Sequence, residues 1–495
     1  MESAANPHFV LIPFTGTISH VIPMADLGCL LASHGAEVTI ITTPVNAAIV
    51  QSRVDRAPAS QSHGTAAITV TAVPFPAADA GLPEGCERMD LLRSQDEVPR
   101  FFVANRAFGE AVSRYCLGVG EAPRRRPSCV ISGACQTWTL GLARVLGVPC
   151  YVFHGFGAFA LLCIEYLYKH RPHEAVASAD ELFDVPALPS FQLRLSRTQL
   201  LPATSVGGNA LQGIRDFDVA ADGFVVNTFE ELESGSATLL AEATGKKVIT
   251  VGSVSLCRSP SLDPRSTSDD ARRCMEWLDA KEPKSVVYVS FGSVGRMPPA
   301  QLMQLGMALV SCPSPVLWLV KGADSLPDDV KDWLRENTDA DGVAGSKCLV
   351  VRGWAPQVAI LAHPAVGGFM THCGWGSTLE AVAAGVPMAT WPFFAEQFIN
   401  EQLIVDVLGI GVSVGVTKPT ENVLTASNAG GSEAGGEAEV GMEQVKKALD
   451  MLMDQGAKGE ERRNRAHELK LKAKGALEKG GSSYINLENL IQSFI

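Results

Sequence analysis

Val366-Gly367-Gly368-Phe369-Met370-Thr371-His372-Cys373-Gly374-Trp375-Gly376-Ser377-Thr378-Leu379-Glu380 is the stretch whose reading decides the fold. Its first six residues form an apolar run suited to a strand buried on both faces. The run ends in a loop with two glycines, and a helix follows through Glu380. Glycines let the backbone approach a ligand, while the free N–H groups and the dipole of a helix start attract an anion. The loop therefore reads as a phosphate or diphosphate site. Its competitor is an ordinary turn between a strand and a helix.

The same alternation extends in both directions. Strands are expected at 285–291, 315–320, 349–351 and 387–391 around it, with helical patterns between them. A separate series occupies the first half of the chain, at 9–14, 37–42, 68–73, 129–132, 150–153 and 223–227, with a helix near 22–34 after the first strand. Apolar runs separated by helices imply parallel sheets covered on both faces. Between the two series lies SVSLCRSPSLDPRSTSDD at 253–270, rich in Ser, Pro and Asp, which reads as a linker. The expectation is an α/β protein of two Rossmann-like doubly wound domains facing across a ligand cleft. Its parts are 1–252, the linker 253–270, 271–478, and a tail helix at 479–495 packing back on the first domain. The Gly/Ala/Ser/Glu-rich insert at 417–440 reads as a mobile surface loop.

Composition narrows the partners. The chain has 495 residues, 46% hydrophobic and 19% charged, which suits a sizeable core and rules out wholesale disorder. With 41 basic against 53 acidic side chains the net charge is −12, so no global positive field exists to hold nucleic acid. Twelve cysteines without CxxC spacing read as reduced thiols. The first residues lack a basic, then apolar, leader, and the most apolar stretch, 148–164, contains His154 and falls short of a ~20-residue span. A soluble, cytoplasmic protein is expected.

Several chemistries lack their motifs. Gly374-x-Gly376 is half of GxGxxG and lies in the second series. After the first strand, where a nicotinamide fingerprint belongs, the chain reads Phe14-Thr15-Gly16-Thr17-Ile18-Ser19-His20. A dehydrogenase is thus the runner-up from another enzyme class. Neither GxxxxGK[ST] nor HExxH occurs.

The 44 residues from Trp354-Ala355-Pro356-Gln357 to Glu396-Gln397 closely resemble the signature box of plant UDP-dependent glycosyltransferases, family one, without a gap. Ile22-Pro23-Met24, the patch at 81–87, Asn227-Thr228-Phe229-Glu230-Glu231-Leu232-Glu233 and Ser290-Phe291-Gly292-Ser293 also match. The likeness spans the chain except the insert. It implies the GT-B fold and a UDP-sugar donor. Trp354 would stack on uracil, with Ala355 contacting the base through its backbone. Glu380 would take the ribose hydroxyls, with Gln357 near them. Ser293, His372, Gly374, Gly376 and Ser377 would surround the diphosphate, and Trp375, Glu396 and Gln397 would read the sugar. In the family, Gln at the last box position goes with glucose. Taken singly, Trp375 is a core tryptophan and Glu380 a helix-start carboxylate; their common register is what points to a donor site.

The resemblance makes His20 the general base. It would take the acceptor hydroxyl proton as the oxygen attacks the anomeric carbon, with inversion from α to β. An ordinary imidazole pKa near ~6.5 suits that step. No metal or other cofactor is implied, because a helix N-terminus and polar groups can stabilise the leaving diphosphate. Two positions depart from the pattern. Gly133 stands where the family has an aspartate that orients the histidine, and Gly376 where it has an asparagine near the diphosphate. Ser132, Cys135, Gln136 or a water could orient His20 instead, and Gly133→Asp is expected to raise turnover if the base is under-supported. The expected function is glucose transfer from UDP-glucose, a co-substrate, to a small lipophilic phenolic or terpenoid acceptor by a monomer. The alternative is a weakened glycosyltransferase or a UDP-sugar-binding protein. Acceptor identity and linkage are not legible.

Overall fold

A computed structural model of the chain describes residues 6–56, 67–94, 96–119, 125–185, 191–200, 208–257, 268–292, 295–338, 347–420 and 438–495. Fifteen strands follow in chain order: β1 His8–Ile12, β2 Glu37–Thr42, β3 Ile68–Ala72, β4 Cys129–Gly133, β5 Cys150–His154, β6 Leu182–Asp184, β7 Arg194–Ser196, β8 Gly223–Val226, β9 Lys247–Thr250, β10 Val286–Ser290, β11 Val316–Leu319, β12 Cys348–Val351, β13 Val366–Thr371, β14 Met388–Thr390 and β15 Gly411–Ser413. Contacts divide the chain into two units, one of residues 1–165, 202–259 and 473–495, the other of 166–201 and 260–472.

The first unit holds a parallel sheet in the order β3-β2-β1-β4-β5-β8-β9. Its central strands β4, β5 and β8 are buried at every residue, as their continuous apolar runs require. The edge strand β3, ITVTA, is only partly buried. The second unit holds a parallel sheet in the order β12-β11-β10-β13-β14-β15. Strand order reverses between β1 and β4 in one sheet and between β10 and β13 in the other, the switch points where such sheets carry ligands beyond their carboxyl ends. His20 follows β1, and His372 follows β13.

The Asn227–Glu233 patch closes the first unit locally. Asn227 Oδ1 accepts the Val254 N–H at 3.0 Å, and the Glu233 carboxylate accepts the N–H groups of Ala158 (3.0 Å) and Phe159 (2.8 Å). Glu233 thereby fixes the start of the helix Ala158–His170, which leaves β5. Burial raises its carboxyl pKa to about 7.

Some boundaries differ from the expectation. The helix after β1 is Ile18–Ser33, four residues earlier than expected, with Pro23 inside it. A proline near a helix start suits the first turn, but here the first turn is already formed by Ile18 to His20. Strands β9 and β15 and the antiparallel β6–β7 pair had no clear signal in the sequence. Residues 166–201 make their contacts in the second unit rather than continuing 1–252. Arg194 exchanges two hydrogen bonds with the Gln402 side chain, at 3.2 and 2.7 Å. The last helix, Ser482–Gln492, places Leu487, Leu490 and Ile491 in the first unit's core, and Ser483 Oγ donates to Gly252 O at 2.7 Å. Residues 258–267 of the linker and 421–437 of the insert lie outside the described residues. At the insert's base, Glu439 accepts the N–H groups of Thr417 and Lys418. All twelve cysteines are free thiols. Among the described residues no helix is long and apolar enough to cross a membrane.

Candidate functional site

In the first unit, His20 stands in the first turn of Ile18–Ser33 with its ring edge-on to Phe14, centroids 5.6 Å apart. Phe14 also contacts Phe101 and Phe102 from the helix Glu97–Cys116, so the imidazole meets an aromatic wall. Burial of the ring, aided by nearby His154, lowers its pKa to about 4 although part of it remains accessible. At pH 7 the ring is neutral and has a lone pair to offer. No described residue hydrogen-bonds to either ring nitrogen of His20.

The side chains that could replace the missing aspartate are occupied elsewhere. Ser132 Oγ donates to Gly133 O at 3.1 Å and accepts from Thr139 at 2.7 Å. Gln136 donates to Pro13 O and accepts from the Trp138 indole. Burial pushes the Cys135 thiol up to about 12. Gly133 itself has no room for a side chain. A Cβ there would lie 2.7 Å from the Phe14 backbone nitrogen and 3.4 Å from the Pro13 carbonyl carbon. This corrects the expectation for Gly133→Asp: the space belongs to the chain just after β1, so the substitution strains the loop before it can orient anything.

In the second unit the strand β13 leads through His372 and Cys373 into the helix Trp375–Ala384. Cys373 takes the left-handed conformation at φ 63, and Ala395 does so at φ 59 just before Glu396 and Gln397. Such strain at non-glycine residues collects at functional sites. The His372 ring lies against two glycines. A Cβ at Gly292 would come within 2.6 Å of it, and one at Gly374 would collide with Nε2. Its Nδ1 is buried without a hydrogen-bond partner among the described residues, and burial lowers the ring's pKa to about 4. Gly374 caps the helix with no side-chain hydrogen bond. Gly376 is exposed, and a Cβ there would meet nothing within 4 Å.

Three of the other donor-box residues, Gln357, Ser377 and Glu380, form one network. Gln357 donates to Ser377 Oγ at 3.0 Å and to Glu380 Oε2 at 2.7 Å, and accepts from the Tyr288 hydroxyl at 3.3 Å. Trp354 is half-buried, and the Ala355 side chain is buried. Trp375 is 2% exposed and packs in the core. Gln397 Oε1 accepts the N–H groups of Phe393 and Phe394, leaving its amide nitrogen for another partner. Burial raises the Glu396 pKa to about 7, against the pull of its own and the Trp375 N–H groups and of Asn400. Ser293 lies outside the described residues.

Asn400 escaped the sequence reading. It is fully buried and donates to Cys373 O at 2.8 Å and to Glu396 Oε1 at 3.3 Å, tying the strained loop to the residue after Ala395. Its spacing of four from Glu396 on one helical face was the available signal. The pair His154 and Asp218, 3.1 Å apart, was also missed. Among the described residues no group of three or more His, Cys, Asp or Glu is placed to hold a metal ion.

Comparison with known proteins places this geometry. Residues 262–429 match the family model described as UDP-glucoronosyl and UDP-glucosyl transferase. UDP-glycosyltransferase 73D1 of Arabidopsis thaliana is 40% identical, over 100% of this chain and 98% of its own. UDP-glycosyltransferase 73C11 of Barbarea vulgaris is 38% identical over 99% and 96%. The crystal structure of Glycyrrhiza uralensis UGT73P12, complexed with glycyrrhetinic acid 3-O-monoglucuronide, superposes with a TM-score of 0.83 at 33% identity, covering 99% of this chain and 96% of that one. Two parallel-sheet units, the box network and full-length identity agree: the chain belongs to the plant UDP-dependent glycosyltransferases and has their GT-B fold.

Proposed function

We propose that the protein transfers glucose from UDP-glucose to a small lipophilic hydroxyl acceptor, a phenol or terpenoid, with inversion to a β-glucoside. The observation that carries this reading is the junction of β13 with Trp375–Ala384. There, the His372 ring lies against Gly374, the residue that begins a helix without a side-chain cap, and Gln357, Ser377 and Glu380 are already joined by hydrogen bonds. The first-turn N–H groups and His372 receive the diphosphate and its growing charge. Trp354 stacks on the base, Ala355 bonds it through the backbone, and Glu380 takes the ribose diol, displacing part of the Gln357 contact. Glu396 and Gln397 read the sugar hydroxyls as acceptor and donor, aided by the Trp375 backbone. Ser293, Gly374, Gly376 and Ser377 line the diphosphate.

His20 is the base. As the acceptor oxygen forms its bond to the anomeric carbon, its proton passes to an imidazole nitrogen, and the bond to UDP breaks with its electron pair. A base with a pKa near 4 is weak, so acidic hydroxyls such as phenols react fastest. No resident metal takes part, and a chelator leaves turnover unchanged. A monomer acting in the reducing cytoplasm completes the reading.

Incubation with UDP-glucose and a panel of phenols and terpenoid alcohols tests it. A product heavier by one hexosyl residue, with a β anomeric coupling, is expected. UDP binding without any glycoside would leave the protein a UDP-sugar-binding one; an α-linked product would exclude single-step inversion.

A further inference from the structure

Among the described residues no hydrogen bond orients the His20 imidazole, so packing and the backbone before it set its direction. Phe14 meets the ring edge-on at 5.6 Å, and a Cβ at Gly155 would lie 3.0 Å from its Cε1. The loop 13–17 carries Phe14 and, through the Thr17 carbonyl, accepts the His20 N–H at 3.1 Å. A Cβ at Gly16 would collide with the Phe14 ring, so the loop is folded down onto that aromatic wall. Where this loop goes, the imidazole goes.

Two consecutive carbonyls of the loop are held from outside it. Asn46 Nδ2 donates to Thr15 O at 3.1 Å, and the Met89 N–H donates to Gly16 O at 2.8 Å. The two donors are themselves tied together. Glu87 Oε2 accepts the Val45 N–H at 2.7 Å, in the first turn of the helix Pro44–Val54. Three hydrogen bonds thus close a circuit through residues 15–16, 45–46 and 87–89. Each stretch is two or three residues long, so none can shift without breaking a bond. Glu87 comes from the patch at 81–87, which the donor site leaves unused.

The circuit is buried: Thr15 and Asn46 are 0% exposed and Glu87 6%. Asn46 Nδ2 also donates to Thr43 Oγ1 at 3.0 Å, but its Oδ1 and Thr15 Oγ1 are buried with no partner among the described residues. A buried amide whose acceptor stays unpaired is a poor device for stability, where an apolar side chain would cost less. What it supplies is the bond to Thr15 O. We propose that Asn46, locked by Glu87, is the positioning residue for His20, fixing through the backbone an imidazole that no carboxylate orients. It acts through Thr15 and touches no substrate. This rests on His20 being the base.

The experiment measures kcat at saturating UDP-glucose and phenol, its pH dependence, the KM for UDP-glucose and the melting temperature. The variants are Asn46→Ala, Glu87→Ala, Glu87→Gln, His20→Ala and the double variant of Asn46→Ala with His20→Ala. Asn46→Ala is expected to lose about 10- to 10²-fold in kcat, as for a catalytic group misplaced by about 1 Å. Its KM for UDP-glucose stays near wild type. The acid limb of its kcat profile moves up towards the ordinary imidazole value of about 6.5, because water reaches a ring that burial and nearby His154 otherwise hold at about 4. Glu87→Ala opens the same circuit at another bond and shifts kcat the same way, which keeps the test available if Asn46→Ala fails to fold. Glu87→Gln keeps an oxygen for the Val45 N–H and recovers much of that loss. In the His20→Ala background Asn46→Ala has no further effect on kcat, because no base is left to position. A lower melting temperature with kcat per folded molecule and pH profile unchanged overturns the proposal, as does a full Asn46→Ala effect without His20. If His20→Ala alone matches wild type, the base assignment falls and takes this inference with it. If only the Asn46 and Glu87 variants match wild type, this inference falls alone.

Discussion

Gly133 and Gly376 both stand where the family has a polar side chain, yet their surroundings are opposite. Gly133 ends β4 against the backbone of Pro13 and Phe14, with 2.7 Å to spare for a Cβ that needs well over 3 Å. Gly376 lies at an exposed helix start with nothing within 4 Å. A missing residue at a packed position signals that the neighbourhood has been rebuilt, so restoring the residue restores nothing. A missing residue at an open position is a plain deletion and can be refilled. Gly133 cannot take a side chain without moving the loop after β1, whereas Gly376 stands at an open helix start and can.

Three substitutions can break or sharpen this contrast. His20→Ala should remove about 10²- to 10⁴-fold of turnover, the range of a positioned general base, while UDP affinity by calorimetry stays near wild type. Gly133→Asp should destabilise the fold by about 1–3 kcal/mol, the cost of overpacking, and lower turnover on every acceptor; a gain on alcohols would show that the loop after β1 yields. Gly376→Asn should melt no lower than wild type and reduce the KM for UDP-glucose several-fold, since one regained hydrogen bond contributes about 0.5–1.5 kcal/mol. An unchanged KM would mean that nothing near the diphosphate misses the asparagine.

The smallest effects are in pH. The pKa of His20 is lowered to about 4, so the imidazole is neutral above that value and kcat at saturating UDP-glucose should hold from pH 8 to about 5 before falling. Glu396, raised to about 7, behaves oppositely. Its folded-state pKa lies above the unfolded one, so its neutral form favours the fold at low pH, and that contribution is lost as pH rises from about 4.5 to 7. If its ionised form accepts sugar hydroxyls as proposed, the KM for UDP-glucose should rise modestly below pH 7. Glu396→Gln should flatten that rise.

Much of this was legible in the chain. The buried strands announce themselves as apolar runs, and 37–42 and 366–371 coincide with β2 and β13. The box is contiguous in the sequence, and at its βα junction Gln357, Ser377 and Glu380 meet in one hydrogen-bond network. The base region was not legible, because its contacts are long-range. The atom that forbids a side chain at Gly133 belongs to Phe14, in the loop after another strand. Asp218 approaches His154 from a helix 64 positions further along the chain (218 − 154), with no box to mark it. His154 reads as part of an apolar strand, and nothing in its flanks shows the carboxylate. Sequence could find an absent aspartate but not the reason for its absence.

Acceptor-dependent release of UDP from UDP-glucose tests the central claim most directly. The account predicts negligible release without acceptor, fast release with a phenol, slower release with an aliphatic alcohol, and one UDP for each glucoside formed. Tight UDP binding with release that ignores the acceptor would contradict it.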